Sequence, residues 1–158
     1  MTPVVKLPRM SRDEIDALTR EEKICRISFR GKRTPYLAPF QYVVIDGQMY
    51  FHFTDYGRKM NFLRSGEPVC VEIERFQPDM SEYRFVLITG FLEVVEDQTE
   101  RMKAIRAIVE TGQRYLSENF VAAHGLEREE GWASLTADKP IIVVKLAKVI
   151  EQTGLKSP

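Results

Sequence analysis

The sequence predicts a mainly β protein, an antiparallel barrel with helices added at its side, and three observations carry that expectation. The apolar runs Tyr42-Val43-Val44-Ile45 and Met49-Tyr50-Phe51-His52-Phe53 flank Asp46-Gly47, a pair that tolerates the positive φ angles of a type I′ hairpin. A longer run from Tyr83 to Val95 carries Gly90 near its middle, the mark of a bulge or bend where a barrel curves. Strand patterns outnumber helical ones and do not alternate with them, which argues against a βαβ architecture.

Each element has its own local signal. Ser11-Arg12-Asp13-Glu14 is a capping box that opens a short helix with Ile15 and Leu18 on one face, and Thr19 with Glu22 offers a second cap where that helix would restart. From Lys23 to Arg30, Cys25, Ile27 and Phe29 alternate with Ile24, Arg26 and Ser28, the period of a half-exposed strand. In the hairpin's second strand Met49, Phe51 and Phe53 share one face, with Tyr50, His52 and Thr54 on the other. A helical pattern follows Asp55-Tyr56-Gly57-Arg58-Lys59 and runs through Leu63, where Gly66 closes it. Val69 to Glu74 reads as a strand with one wet face, and Gln77 to Ser81 as a loop.

Asp97 to Glu100 repeats the cap-plus-Glu signature, and Met102, Ile105, Ala107, Ile108 and Val109 give an amphipathic helix that ends before Thr111-Gly112. Tyr115, Leu116, Phe120 and Val121 fit a further helix ended by His124-Gly125, and Glu127 to Lys139 has loop character. Pro140 precedes Ile141 to Ile150, a final strand that closes the sheet. These elements fit a single domain over residues 1–158, with an N-terminal helical arm at 1–22 and a helical insertion at 97–125 before the last strand.

Composition excludes several function classes. Lys plus Arg equals Asp plus Glu at 23 each, so no global field recruits nucleic acid or an anionic membrane, and any anion site must be local. The stretch Met1 to Pro8 lacks an apolar signal-peptide core, which sets the expectation of a cytoplasmic protein. Cys25 and Cys70 lie in strand-like runs without metal-ligand spacing and read as buried reduced thiols. With only His52 and His124 as histidines and no HExxH, GxGxxG or GxxxxGK[ST] pattern, metal, Rossmann and P-loop sites are disfavoured.

Candidate chemistry concentrates between Pro35 and Gly66. A helix beginning near Gly57, with Thr54 or Asp55 as cap, would present unpaired N–H groups and the positive end of its dipole beside Arg58 and Lys59. Read locally, that pair fits either a phosphate site or an ordinary solvated first turn, although cations are disfavoured there unless an anion is held. His52, read alone, fits a structural histidine hydrogen-bonded in a polar barrel rim.

The succession of Pro35-Tyr36-x-x-Pro39, the Gly47 turn, Tyr50-Phe51-His52, Gly57-Arg58-Lys59 and Pro68-Val69-Cys70-Val71-Glu72 resembles the pyridoxamine 5′-phosphate oxidase-related flavoproteins. Within them it looks most like the small members grouped with 5-nitroimidazole resistance proteins, and the resemblance runs from about Met10 to Gly154. It implies a split β-barrel with FMN at a homodimer interface, and Arg58 and Lys59, with Gly57, on the FMN phosphate. It further implies that Pro39, Phe40, Gln41 and Tyr42 run along the flavin ring, that His52 and Phe53 lie beside it with His52 the catalytic candidate, and that Tyr83 and Arg84 approach it, often from the second subunit. Aromatic residues such as Phe40, Tyr42 and Phe53 would leave an apolar patch exposed without that subunit. Trp132 matches no motif.

The chain is shorter than pyridoxamine phosphate oxidase itself and lacks its C-terminal substrate-binding arginine motif, which disfavours vitamin B6 oxidation. The function implied is that of an FMN-dependent oxidoreductase, an NAD(P)H-linked reductase of a small molecule such as a nitro compound. The residues leave open a second reading, a non-catalytic binder of flavin, haem or another planar ligand. No nucleic-acid or membrane partner is expected.

Overall fold

The computed structural model describes residues 2–158, so Met1, the first residue of the expected N-terminal arm, lies outside it. Six strands form a closed antiparallel barrel: β1 (Ile24–Phe29), β2 (Tyr36–Ile45), β3 (Gln48–Thr54), β4 (Val69–Phe76), β5 (Tyr83–Val94) and β6 (Ile141–Lys156), in the order β1-β2-β3-β6-β5-β4. Three α-helices accompany it: α1 (Arg12–Glu21), α2 (Arg58–Ser65) and α3 (Gln98–Tyr115). The β2–β3 hairpin turns at Asp46 (φ 51°) and Gly47 (φ 79°), as a type I′ turn requires. At Gly90 the β5–β6 register shifts between Thr89 and Phe91, so the glycine marks the bulge that bends the barrel.

The alternation read in the strands fills the barrel. Cys25, Ile27 and Phe29, Phe40 and Tyr42, Met49, Phe51 and Phe53, and Val69, Val71 and Ile73 all point inward and are buried together. Fully burying one such side chain stabilises by about 1.5–3 kcal/mol. A second cluster lies outside the barrel, where Ala104, Ile105 and Ile108 of α3 cover Val43, Tyr50 and Val143. The middle of β3 is therefore buried on both faces. α1 opens on the expected capping box of Ser11 and Glu14, and the Tyr42 hydroxyl donates to the Thr19 carbonyl at 2.8 Å, tying it to the barrel.

Several boundaries differ from the sequence expectation for physical reasons. Thr19 does not restart a helix: it lies inside α1, its hydroxyl donating to the Ile15 carbonyl at 2.8 Å, and Glu22 ends the helix. α3 continues through Gly112 to Tyr115, because the Trp132 ring lies so close to Gly112 that a Cβ there would meet it at 2.3 Å. Met102 is exposed, outside the apolar stripe. The segment after α3 forms 3₁₀ turns at Glu118–His124, Arg128–Glu130 and Trp132–Ser134 in place of an α-helix. Cys70 is only half-buried, unlike Cys25. β6 runs six residues past Ile150, to Lys156, since Glu151 to Lys156 pair with β5 despite their polar sequence.

Candidate functional site

α2 begins where the sequence placed cationic residues, but its cap is Gly57, not Thr54 or Asp55. Gly57 has φ 90° and makes no side-chain cap hydrogen bond, and the first turn holds no acid. The Thr54 hydroxyl donates instead to the Tyr56 carbonyl at 3.3 Å. α1 and α3, by contrast, each have an acceptor side chain at the N-cap and an acid in the first turn. Cations beside an uncapped N-terminus oppose the helix dipole by about 0.3–1 kcal/mol each, a cost that a bound anion would reverse. A Cβ on Gly57 would meet nothing within 4 Å, so the space in front of this helix end is open.

The two cations stand over an aromatic floor. The Arg58 guanidinium lies 5.8 Å from the Tyr36 ring centroid and the Lys59 ammonium 5.3 Å from that of Phe40, within cation–π range. Tyr36 and Phe29 both stack on Phe62 of α2, at 5.4 and 5.3 Å. Among the described residues neither cation has a carboxylate within ion-pair distance. Burial holds the Lys59 ammonium below the usual lysine range, as expected for a cation partly desolvated without a counter-ion.

Beside α2 the barrel wall opens. The β2–β3 ladder runs from Ile45–Gln48 to Tyr42–Phe51 and stops. Beyond it, β2 pairs with β1 from Gln41 to Tyr36, and β3 pairs with β6 up to Thr54. Backbone groups of β2 on its β3 side are thus left without a ladder partner next to Pro39, which has no N–H to offer. Leu37, Pro39 and Tyr56 are exposed around this opening, whereas Phe40 and Phe53 form its inner wall.

Gln41 and His52 point outward from the same two strands and are covered by the 3₁₀ segment Glu118–His124. His52 stacks on His124 with ring centroids 4.3 Å apart, and His124 meets Trp132 edge-on at 4.9 Å. Gln41 donates to the Ile108 carbonyl at 3.0 Å, and its carbonyl oxygen lies 2.6 Å from His124 Nε2. Burial depresses the His52 imidazole to about 3 and that of His124 to about 4, so both rings are neutral near pH 7. His52 Nδ1 and Trp132 Nε1 are buried without a hydrogen-bond partner, each at a cost of about 1–3 kcal/mol.

Not every expected residue comes together. Tyr83 and Arg84 pair with Phe76 and Arg75 at the far end of β4, about 20 Å along that strand from α2 at 3.3 Å per residue. Phe40, Tyr42 and Phe53, expected to leave an apolar patch, are interior residues at 6%, 1% and 0% exposure. Their alternate neighbours, not they, face outward from β2 and β3.

A family model described as pyridoxamine 5′-phosphate oxidase matches residues 11–135, most of the chain. The chain belongs to the pyridoxamine 5′-phosphate oxidase family. No curated protein matches it significantly. Among solved structures, a FAD-binding protein from Mesorhizobium loti superposes with a TM-score of 0.70 at 14% identity, covering 98% of this chain and 100% of its own. A candidate 5-nitroimidazole antibiotic resistance protein from Bacteroides thetaiotaomicron gives 0.68 at 16% identity, covering 96% and 87%. A FAD and heme binding protein from Mycobacterium smegmatis gives 0.65 at 15%, covering 93% and 71%.

In this member of the family a cavity of about 790 Å³ lies away from α2, between α1, the hairpin turn and the Lys148–Gln152 stretch of β6. Charges of both signs line it: Arg12 is paired with Asp16, while Arg20 and Lys148 have no carboxylate within ion-pair distance among the described residues, but none of these cations stands at an uncapped helix N-terminus as Arg58 and Lys59 do. Among the described residues no three His, Cys, Asp or Glu side chains gather as metal ligands, and no helix is long and apolar enough to cross a membrane. The sequence reading missed His124 as the partner of His52, and Trp132 as the partner of His124. Their one signal was local: both are rare residue types here, His124 at the end of the expected further helix and Trp132 in the stretch read as loop.

Proposed function

We propose that the chain is a flavin-binding protein whose flavin phosphate is held at the N-terminus of α2 by the N–H groups after Gly57 and by Arg58 and Lys59, with FMN the flavin the sequence resemblance implies. The observation that carries this reading is the uncapped, acid-free first turn of α2 with two cations that have no carboxylate partner. The opening between β2 and β3 fits the rest of such a molecule, since a flavin needs an apolar slot with backbone donors and acceptors at one edge. His52 Nδ1 adds a polar atom without a partner beside it. The FAD-binding relatives from Mesorhizobium loti and Mycobacterium smegmatis support the same ligand class.

When bound, the flavin supplies hydride and electron transfer, here from a nicotinamide to a small electrophile such as a nitro compound; the protein binds, orients and shields it. His52, neutral and covered by the 3₁₀ segment, acts as a packing neighbour of the site through its stack on His124. The whole of 1–158 acts as one flavin-binding unit. The alternative of a non-catalytic flavin or haem carrier is favoured by one observation, the likeness in fold to a FAD and heme binding protein. Purified protein should be yellow, and its flavin absorbance should bleach under NADH or NADPH and return with the electrophile. A flavin spectrum that neither nicotinamide bleaches supports the carrier, and a Soret band after haem addition identifies its ligand.

The functional unit is proposed to be a homodimer with the flavin at the subunit interface. Leu37 and Tyr56 are 62% and 67% exposed at the mouth of the opening, and Tyr83 and Arg84 can reach a flavin there only from a second copy. Light scattering at micromolar concentration should report about twice the 18.3 kDa chain mass. A flavin-loaded monomer would contradict this arrangement.

A further inference from the structure

A groove of about 600 Å³ runs along the outer side of α2, lined by Arg30, Lys32, Arg58 and Arg64 together with Asn61 and Phe62. Four cations around one concavity repel one another, and a chain with no net charge has no general excess to place there. Among the described residues the one acid within ion-pair distance of any of them is Glu67, 3.6 Å from Arg30 with both side chains well exposed, a pairing of little strength. Among the described residues Lys32, Arg58 and Arg64 have no carboxylate within ion-pair distance. An anion is the chemical complement of this surface.

Its position says which anion. Arg58, Asn61 and Phe62 stand three and four residues apart on α2 and so form one stripe. From Arg58 to Ser65 the helix rises about 10 Å, and the groove follows it. Arg58 belongs both to this groove and to the helix end proposed to hold a flavin phosphate, so the groove starts where that phosphate ends. A single phosphate does not need a cavity of this size, which lies within the roughly 300–1,000 Å³ of small-molecule sites. Arg64 and Lys32 supply charge-assisted bonds for a second phosphate. The guanidinium planes can stack on a purine, and the Asn61 amide carries both a donor and an acceptor for a base edge.

We propose that this groove binds the second phosphate and the nucleoside of a flavin dinucleotide, so that the chain selects FAD over FMN. The proposal rests on the flavin reading above and extends it from the flavin phosphate to the tail beyond. It places no new group at the ring.

Equilibrium titrations of riboflavin, FMN and FAD against the full chain and a Lys32→Ala/Arg64→Ala variant test it. Both substituted side chains are exposed, so the fold should persist, and circular dichroism checks this. Wild type should bind FAD at least tenfold tighter than FMN. The variant should lose that advantage while its FMN and riboflavin affinities stay within about twofold, and ADP alone should compete with FAD but not with riboflavin. If FAD binds no tighter than FMN, or the variant weakens both equally, the groove does not hold the tail, whereas FMN binding tighter than riboflavin would keep the phosphate site intact. If riboflavin, FMN and FAD bind alike, or none binds, the phosphate site and the groove assignment fall together.

Discussion

Arg58→Ala or Lys59→Ala is expected to weaken FMN binding by about ten- to a hundred-fold and to leave riboflavin binding nearly unchanged. The two ligands differ only by the phosphate, so their ratio isolates the contact at α2. Each charge-assisted hydrogen bond is worth roughly 1.5–3 kcal/mol, and 1.4 kcal/mol is a factor of ten in affinity. Lys59 should show the larger effect. Its ammonium is partly desolvated over Phe40 and carries no counter-ion, and a phosphate would restore the interactions that burial removed. Arg58 is exposed, and its contact is screened more by solvent and salt. Raising the ionic strength should therefore weaken FMN binding more than riboflavin binding, and less steeply in either variant than in wild type, because one of the two screened phosphate contacts is gone. Equal losses for FMN and riboflavin would mean that the substitutions disturb the opening between β2 and β3, with no phosphate contact at α2.

The features legible in the sequence were those whose cause is local. Asp46-Gly47 turns as read because two positive φ angles admit few residue pairs, and Ser11 with Glu14 caps α1 because both groups lie within one turn. The inward faces of β1 and β3 followed from alternation alone, whereas Phe40 and Tyr42 of β2, expected to leave an apolar patch, lie inside the barrel. The misreadings share the opposite character. Gly112 looked like a helix end, yet it lies inside α3 because Trp132, distant in sequence, needs the space of the missing Cβ. His124 looked like the end of a helix, and its contact with Gln41 spans 83 residues. In the candidate site, Arg58 and Lys59 were legible as a charge anomaly at a helix start. The true cap was not, because Thr54 and Asp55 are good caps by residue type, and only the backbone at Gly57 shows that the helix begins later.

Lowering the pH from 6.5 to 4.5 is expected to destabilise the fold by an amount on the order of 4 kcal/mol, most of it through His52 and His124. Burial is the main cause of both depressed values, about 3 for His52 and about 4 for His124. For His52 the charges of His124 and Lys59 add to it, while for His124 the Phe120 carbonyl works the other way without offsetting burial. In the unfolded chain each ring titrates near 6.5. Below that pH the unfolded state takes up two protons that the folded state refuses, so stability falls with pH at up to about 1.4 kcal/mol per unit for each ring. The fall ends only as the folded rings protonate near 4 and 3. Carboxylates held low by partners, among them Glu14, Glu100 and Glu130, lose their contribution at lower pH, below the usual carboxylate value near 4.5. Glu72, raised by burial, opposes the trend. Over the window from 6.5 to 4.5 the histidines therefore dominate, the carboxylates entering only towards its lower end, and a total stability of roughly 5–15 kcal/mol makes the change readable. Denaturant titrations followed by emission of the single tryptophan, Trp132, measure it. A His52→Asn/His124→Asn variant will be less stable at pH 7.5 because it gives up the stacked pair. Its stability should nonetheless be nearly flat across the window, and the gap to wild type should narrow by several kcal/mol at pH 4.5. Parallel slopes in the two proteins would show that the imidazoles reach water in the folded state, and that the 3₁₀ segment does not seal them.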